Sequence, residues 1–354
     1  MWRAVEAIAG RSRAMDRILS AADRLFVAAR RGRRLSNLLV AAAAAWGFLF
    51  LSRLPLLLAG RRLPWSLPPT GPDAGVGAAL RGALWLDARL WLVFIPLGAL
   101  AVAWMLAVEA RPVESLALPR RGAARAAAVG GVIGVTAILI LSGVTVVLGD
   151  VGIGPSRDGV TGVAALGGVL VVTLGWAVQG TAEELLSRGW LLLSLGARYT
   201  PWFGVVVSSL LFSSFHALNP GFGWLPALNL FLIGVFFALL VLRQGCLWGA
   251  FAMHAAWNWT LGNVLGLSVS GMGMPGGALI DLDIDGPAWL VGGAFGPEGG
   301  LAATAVATSG VLGMVALMRR RTVRGHIDGV AADGVDREGD RTRSPGEGSD
   351  DAGA

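Results

Sequence analysis

Residues 165–197 read ALGGVLVVTLGWAVQGTAEELLSRGWLLLSLGA. The run is long enough to cross a bilayer, which takes about 20 apolar residues. Yet Glu183, Glu184 and Arg188 interrupt it. Ionisable groups inside a spanning helix cost at least about 2.5–3.5 kcal/mol each, so a segment that keeps three of them is expected to use them.

Working outward, comparable apolar runs fall at 37–58, 88–108, 126–148, 201–217, 225–242, 245–265 and 301–318. With 165–197 they predict an all-α, polytopic membrane helix bundle of about eight transmembrane helices. Composition agrees: hydrophobic residues make up 55% and charged residues only 15%, against about 25% charged in soluble domains. The basic excess of +6 is carried by arginine with no lysine, and the arginines cluster at the ends of apolar runs. That placement fits membrane boundaries and gives no reason to expect a nucleic-acid partner. The one cysteine, Cys246, excludes an intramolecular disulfide and a cysteine metal cluster.

Three domains are expected. Residues 1–35 hold nine arginines against three acids and form a basic segment, with Ile18, Leu19, Ala22, Leu25 and Phe26 at the spacing of an amphipathic surface helix. Residues 36–320 form the transmembrane domain, and 321–354 a polar tail with the composition of disorder. The arginine-bearing segments around 109–125, Arg198, Arg243 and Arg319–Arg321 alternate with the arginine-free 265–300 loop. Eight spans with both termini cytoplasmic satisfy that pattern in the cell membrane; only the 59–87 loop, with Arg61, Arg62 and Arg81, fits it poorly. The glycine-rich 265–300 loop reads as a flexible linker. Gly130 and Gly134, four apart, permit close helix packing.

The polar groups within spans are few: Glu183, Glu184, Arg188, His216, His254 and Asn258. Glu184 and Arg188 share a helix face and can pair, whereas Glu183 is turned about 100° away. Glu183 is thereby left to act on a water. His254 and Asn258 also share a face. Glu183, His216 and Asn258 each lie 15 residues from Arg198, Pro201 and Arg243 respectively, which puts all three about 22 Å along their helices. A carboxylate and imidazoles at one level can activate water for hydrolysis, and Asn258 or His254 can donate to an oxyanion. Glu183, His216 and His254 are equally a candidate His₂Glu set for a divalent metal such as zinc. No zincin motif, nucleophile elbow or Walker motif is present.

Glu183-Glu184-Leu185-Leu186-Ser187-Arg188-Gly189 resembles the Glu-Glu-x-x-x-Arg-Gly motif of the CPBP family, the CAAX proteases and bacteriocin-processing (Abi) enzymes. Phe212-Ser213-Ser214-Phe215-His216 and His254-Ala255-Ala256-Trp257-Asn258 resemble its Phe-x-x-x-His and His-x-x-x-Asn motifs, over a motif core of 160–265. The resemblance implies an intramembrane endopeptidase acting on peptide or membrane-protein substrates. In it, Glu183 and His216 activate water, and His254 and Asn258 support the transition state. The family has been described both as metallo- and as glutamate-type proteases, so the resemblance leaves a metal open. Two other readings use the same residues. A non-catalytic scaffold or immunity protein of this fold would need them for stability alone, and a transporter would use them as a proton relay.

Overall fold

A computed structural model describes residues 23–60, 75–153 and 160–320 of the chain. Helix α1 is Asp23–Arg30; α2 and α3 are Leu38–Leu51 and Leu54–Gly60. Helix α4, Val76–Ala103, runs on through a wide π turn at Trp104–Val108, and α5 is Ala123–Leu148. Strand β1 (Asp150–Ile153) precedes α6 (Leu166–Val171), α7 (Thr173–Glu184), a π segment at Leu185–Leu192, and α8 (Leu193–Arg198). Helices α9 (Pro201–Ser214), α10 (Trp224–Gln244) and α11 (Trp248–Trp259) follow, the last ending in a π turn at Thr260–Val264. Strand β2 (Leu282–Asp285), the single turn α12 (Ala288–Val291) and α13 (Leu301–Arg320) complete the order.

The helical class stands; the count of eight spans does not carry over. Among the described residues five stretches are long and apolar enough to cross a membrane: 38–60, 76–108, 123–148, 224–244 and 301–320. The expected span at 165–197 is two helices bent by 43° around Val172, a sixth candidate if taken as one. Helix α9 has 14 residues, about 21 Å of rise, and falls short of a hydrocarbon core of about 30 Å. Composition windows register apolarity but neither bends nor breaks. The second span also begins earlier than read. Residues 76–87 are helix, so Arg81 and Asp87 belong to α4 and not to a loop.

Glycines set the packing around α11. A Cβ on Gly130 would strike the Gly249 carbonyl, and one on Gly134 the Met253 carbonyl, so α5 and α11 meet backbone to backbone. The small-residue spacing does what it promised. On its other side α11 meets α7, where a Cβ on Gly180 would lie 3.1 Å from Cβ of His254.

Where α4, the π segment and the N-terminal side converge, Glu109 is fully buried. It accepts hydrogen bonds from the Ser36 backbone at 2.9 Å, Trp190 Nε1 at 3.0 Å and Ser194 Oγ at 2.6 Å. Arg111, read from sequence as a boundary charge, is buried as well. It donates to Ser194 Oγ and to the Gly189 and Ser115 carbonyls. Burial pushes its guanidinium down to about 10, still far above neutrality, so it remains a cation.

Two further expectations change. The described part of the basic N-terminal segment does not lie open on a surface: Leu25, Phe26 and Ala29 are buried, and Phe26 fills the space above Gly196. Ile18, Leu19 and Ala22, like the tail beyond 320, lie outside the described residues. The 265–300 segment is packed rather than a loose linker. Strand β2 pairs antiparallel with β1, Asp150 opposite Asp285. Its glycines at 266, 271, 276, 277, 286, 292, 293 and 296 take positive φ, a region nearly closed to other residues, and so build turns.

Candidate active site

Glu184 is the fixed carboxylate. Its Oε1 accepts from Arg188 Nη1 at 2.9 Å and lies 3.0 Å from His254 Nδ1. Both members of the Glu184–Arg188 pair are fully buried, as four-residue spacing on one helix predicted. Arg188 also donates to the Gly234 carbonyl at 3.0 Å, and its guanidinium lies over the rings of Phe212 (4.4 Å) and Phe237 (5.1 Å). Two cation–π contacts suit a desolvated arginine. The pair thus ties α7 and the π segment to α9, α10 and α11 at one point. π turns of this kind are frequent at functional sites.

Glu183 faces elsewhere. Its Oε1 accepts from Gln179 Nε2 at 2.9 Å, and its Oε2 lies 3.7 Å from His254 Nε2. Gln179 Oε1 in turn accepts from Asn258 Nδ2 at 2.8 Å. Asn258, Gln179 and Glu183 therefore form a chain of amides ending on the carboxylate. Because a carboxylate only accepts, His254 donates to Glu184 through Nδ1–H, and Nε2 is the nitrogen left to face Glu183.

His216, at the end of α9, lies across the same space. Its Nδ1 sits 3.0 Å from the Phe212 carbonyl; a carbonyl only accepts, so Nδ1 carries the proton and Nε2 is open. Among the described residues it makes no hydrogen bond to Glu183. All six residues singled out in sequence are accounted for. Glu183, His216, His254 and Asn258 line one cavity of about 540 Å³ with Gln179 and Glu298, while Glu184 and Arg188 stand behind it.

Three participants were not read from sequence. Gln179 was passed over because it is neutral, although it lies one turn before Glu183. Glu298 was assigned to a linker; it is buried and accepts from Trp257 Nε1 at 2.8 Å and from the Ser270 backbone at 2.6 Å. Asp87, one residue outside the expected span, accepts from the Gly175 backbone at 3.0 Å and fixes α4 against α7.

Among the described residues no group of three His, Cys, Asp or Glu side chains converges so as to hold a metal ion. In the candidate set Glu183, His216 and His254, His254 turns Nε2 toward Glu183 while Glu184 holds its Nδ1, but His216 does not converge with the other two. As arranged, these residues do not fit a three-ligand zinc site.

Residues 165–260 match the family model of Rce1-like type II CAAX prenyl endopeptidases. All three motifs fall within the matched residues, which bears out the resemblance read from them. No curated protein and no solved structure matches the chain. The family implies a protease, hence peptide substrates. With five apolar helices of spanning length among the described residues, it also supports an integral membrane protein.

Proposed function

We propose that the protein is an intramembrane endopeptidase in which Glu183 is the general base. The observation that carries this is the contrast between neighbouring carboxylates. Glu184 is consumed by Arg188 and His254, whereas Glu183 keeps one oxygen on Gln179 and presents the other to the cavity beside His254 Nε2.

A water donating to Glu183 can attack a peptide carbonyl carbon in the cavity. Its proton passes to Glu183, with His254 Nε2 near enough to share it. The developing oxyanion is met by the second amide N–H of Asn258. On collapse the C–N bond breaks, and the proton held at Glu183 goes to the departing amine. His216 Nε2 faces the same space as a second acceptor for the water. Gln179, Glu184 and Arg188 are positioning residues. They hold Glu183 and the His254 tautomer, and no step is assigned to a metal.

The test compares membranes of a host making the wild-type protein or Glu183→Gln at equal abundance. New peptide termini are mapped by mass spectrometry. Termini confined to the wild type support the reading; identical termini from two folded proteins would remove it.

A further inference from the structure

A groove between α5, α10 and α13 lies behind the wall of the cavity that holds Glu183. Its first part, about 660 Å³, is lined by Arg121, Arg125 and Arg243 together with Val129, Ile133 and Leu240. Its second part, about 590 Å³, continues from Ile133 along a nearly all-apolar lining to Ile140 and Val144. Helical spacing draws this line, for Arg125, Val129, Ile133, Ile140 and Val144 fall on one stripe of α5. On α10 the same order runs the other way, from Arg243 through Leu240 to Phe236 and Ile233. Helix α13 shuts the third side: Met314 and Leu317 line the basic part, and a Cβ on Gly310 would lie 3.2 Å from the Phe236 ring. Gln244 Nε2 donates to the Ala126 carbonyl at 3.5 Å and joins α10 to α5 at the basic end.

Arg121 and Arg125 are exposed, and none of the ion pairs among the described residues reaches them. Arg243 lies in the last turn of α10, and Arg319 and Arg320 end α13. Three helices thus carry arginine to one end of the groove, the placement of a membrane boundary. Val129 and Ile140 are 11 residues apart, about 16 Å of rise, or half of a hydrocarbon core of about 30 Å. The apolar part therefore has the depth of one leaflet. Val132, Ile140 and Leu317 line the groove and are exposed, so it opens on a surface suited to acyl chains.

We infer that this groove holds an anionic phospholipid, its phosphate on Arg121, Arg125 and Arg243 and one acyl chain along α5. The two ends of the groove match the two halves of that molecule. A free phosphate would leave the apolar part bare, and a zwitterionic lipid would bring its own cation to the arginines. Ile233 and Trp257 line both the groove and the catalytic cavity, so the chain lies one side chain from the site. Trp257 holds Glu298 through Nε1 and precedes Asn258, and a chain packed against its other side supports that ring. Lipid binding is read without cleavage and does not depend on the peptidase reading.

The full chain, purified in detergent, is titrated with phosphatidylglycerol or phosphatidylcholine of identical acyl chains, and bound lipid is counted by native mass spectrometry. One phosphatidylglycerol is expected to bind about tenfold tighter than phosphatidylcholine, as charge-assisted bonds to arginine imply. Substituting the exposed pair, Arg121→Gln with Arg125→Gln, should remove most of that preference. Arg31→Gln, at an exposed arginine outside the groove, should leave it intact. Ala305→Trp fills the apolar part from an exposed position and should weaken binding of both lipids. Glycerol 3-phosphate, which has the head and no chains, should not displace the bound lipid. If the glutamine pair loses its thermal transition, Arg121→Lys with Arg125→Lys decides: a retained preference supports the site, and its loss overturns it. Equal binding of the two lipids, a preference that survives in the folded glutamine pair, an equal loss in Arg31→Gln, or undiminished binding in Ala305→Trp overturns the inference. So does displacement by glycerol 3-phosphate at matching concentration, which marks a site for phosphate alone. A lipid-free dimer that Ala305→Trp separates would assign the groove to a second copy of the chain and overturn it as well.

Discussion

His254 stands between two carboxylates, its Nδ1 3.0 Å from Glu184 Oε1 and its Nε2 3.7 Å from Glu183 Oε2. The shorter contact is structural and the longer one faces the cavity, so the two glutamates should fail in different ways. Glu183→Gln is expected to end cleavage while leaving thermal unfolding in detergent almost unchanged. Glu184→Gln or Arg188→Ala leaves an uncompensated partner in a fully buried pair, a loss of about 3–5 kcal/mol. Equal loss of stability for both glutamates would count for a scaffold rather than an enzyme.

The Asn258–Gln179–Glu183 chain makes a quantitative claim. If Asn258 acts on the reaction partly through Gln179, the effects of Asn258→Ala and Gln179→Ala are not additive. A double-mutant cycle on kcat/KM should return a coupling of about 1 kcal/mol, within the usual 0.5–3 kcal/mol for residues in one network. Additive effects would show that the two amides serve separate ends.

Much of this centre was legible because it rests on short-range geometry. Four-residue spacing put Glu184 with Arg188 and turned Glu183 away, and Glu183, His216 and Asn258 line one cavity. Gly130 and Gly134 announced a close helix contact for the same reason, though not that α11 would be the partner. What escaped depends on tertiary pairing. Gln179 matters only because Asn258, 79 residues away, reaches its carbonyl. Glu298 matters because Trp257 and Ser270 point their N–H groups at it. Neither the bend at Val172 nor the shortness of α9 changes residue composition, so hydropathy alone does not reveal them.

Gly180 offers a steric test of how His254 is placed. A Cβ there would lie 3.0 Å from the Ala255 nitrogen and 3.1 Å from His254 Cβ, so even alanine requires α11 to give by a few tenths of an ångström. Gly180→Leu is expected to push His254 off Glu183 and abolish cleavage, with Gly180→Ala retaining partial activity. Near-normal turnover in the leucine variant would mean that close α7–α11 packing is not needed.

The split ligand set bears on metal dependence. Because no three suitable side chains converge among the described residues, extended dialysis against a chelator is expected to leave the cleavage rate unchanged. Loss of activity that returns on adding zinc, but not magnesium, would require His216 and Glu183 to close on a metal, and would displace the mechanism proposed above.

The 265–300 segment supplies the last test, through its buried anchor. Glu298 accepts from Trp257 Nε1, the Ser270 backbone N–H and Ser270 Oγ. Ser270 itself is held at φ +47°, a conformation that costs a non-glycine residue about 1–3 kcal/mol and persists only under constraint. Glu298→Ala would leave buried N–H groups unpaired, at about 1–3 kcal/mol each, and would release Ser270 from that constraint. Limited proteolysis should then show new cleavage between 266 and 300, together with faster loss of activity on warming. Trp257 precedes Asn258, so kcat is expected to fall as well. If Glu298→Ala resists proteolysis as the wild type does, the segment is held by the β1–β2 pairing and its packed glycine turns, and Glu298 merely fills space.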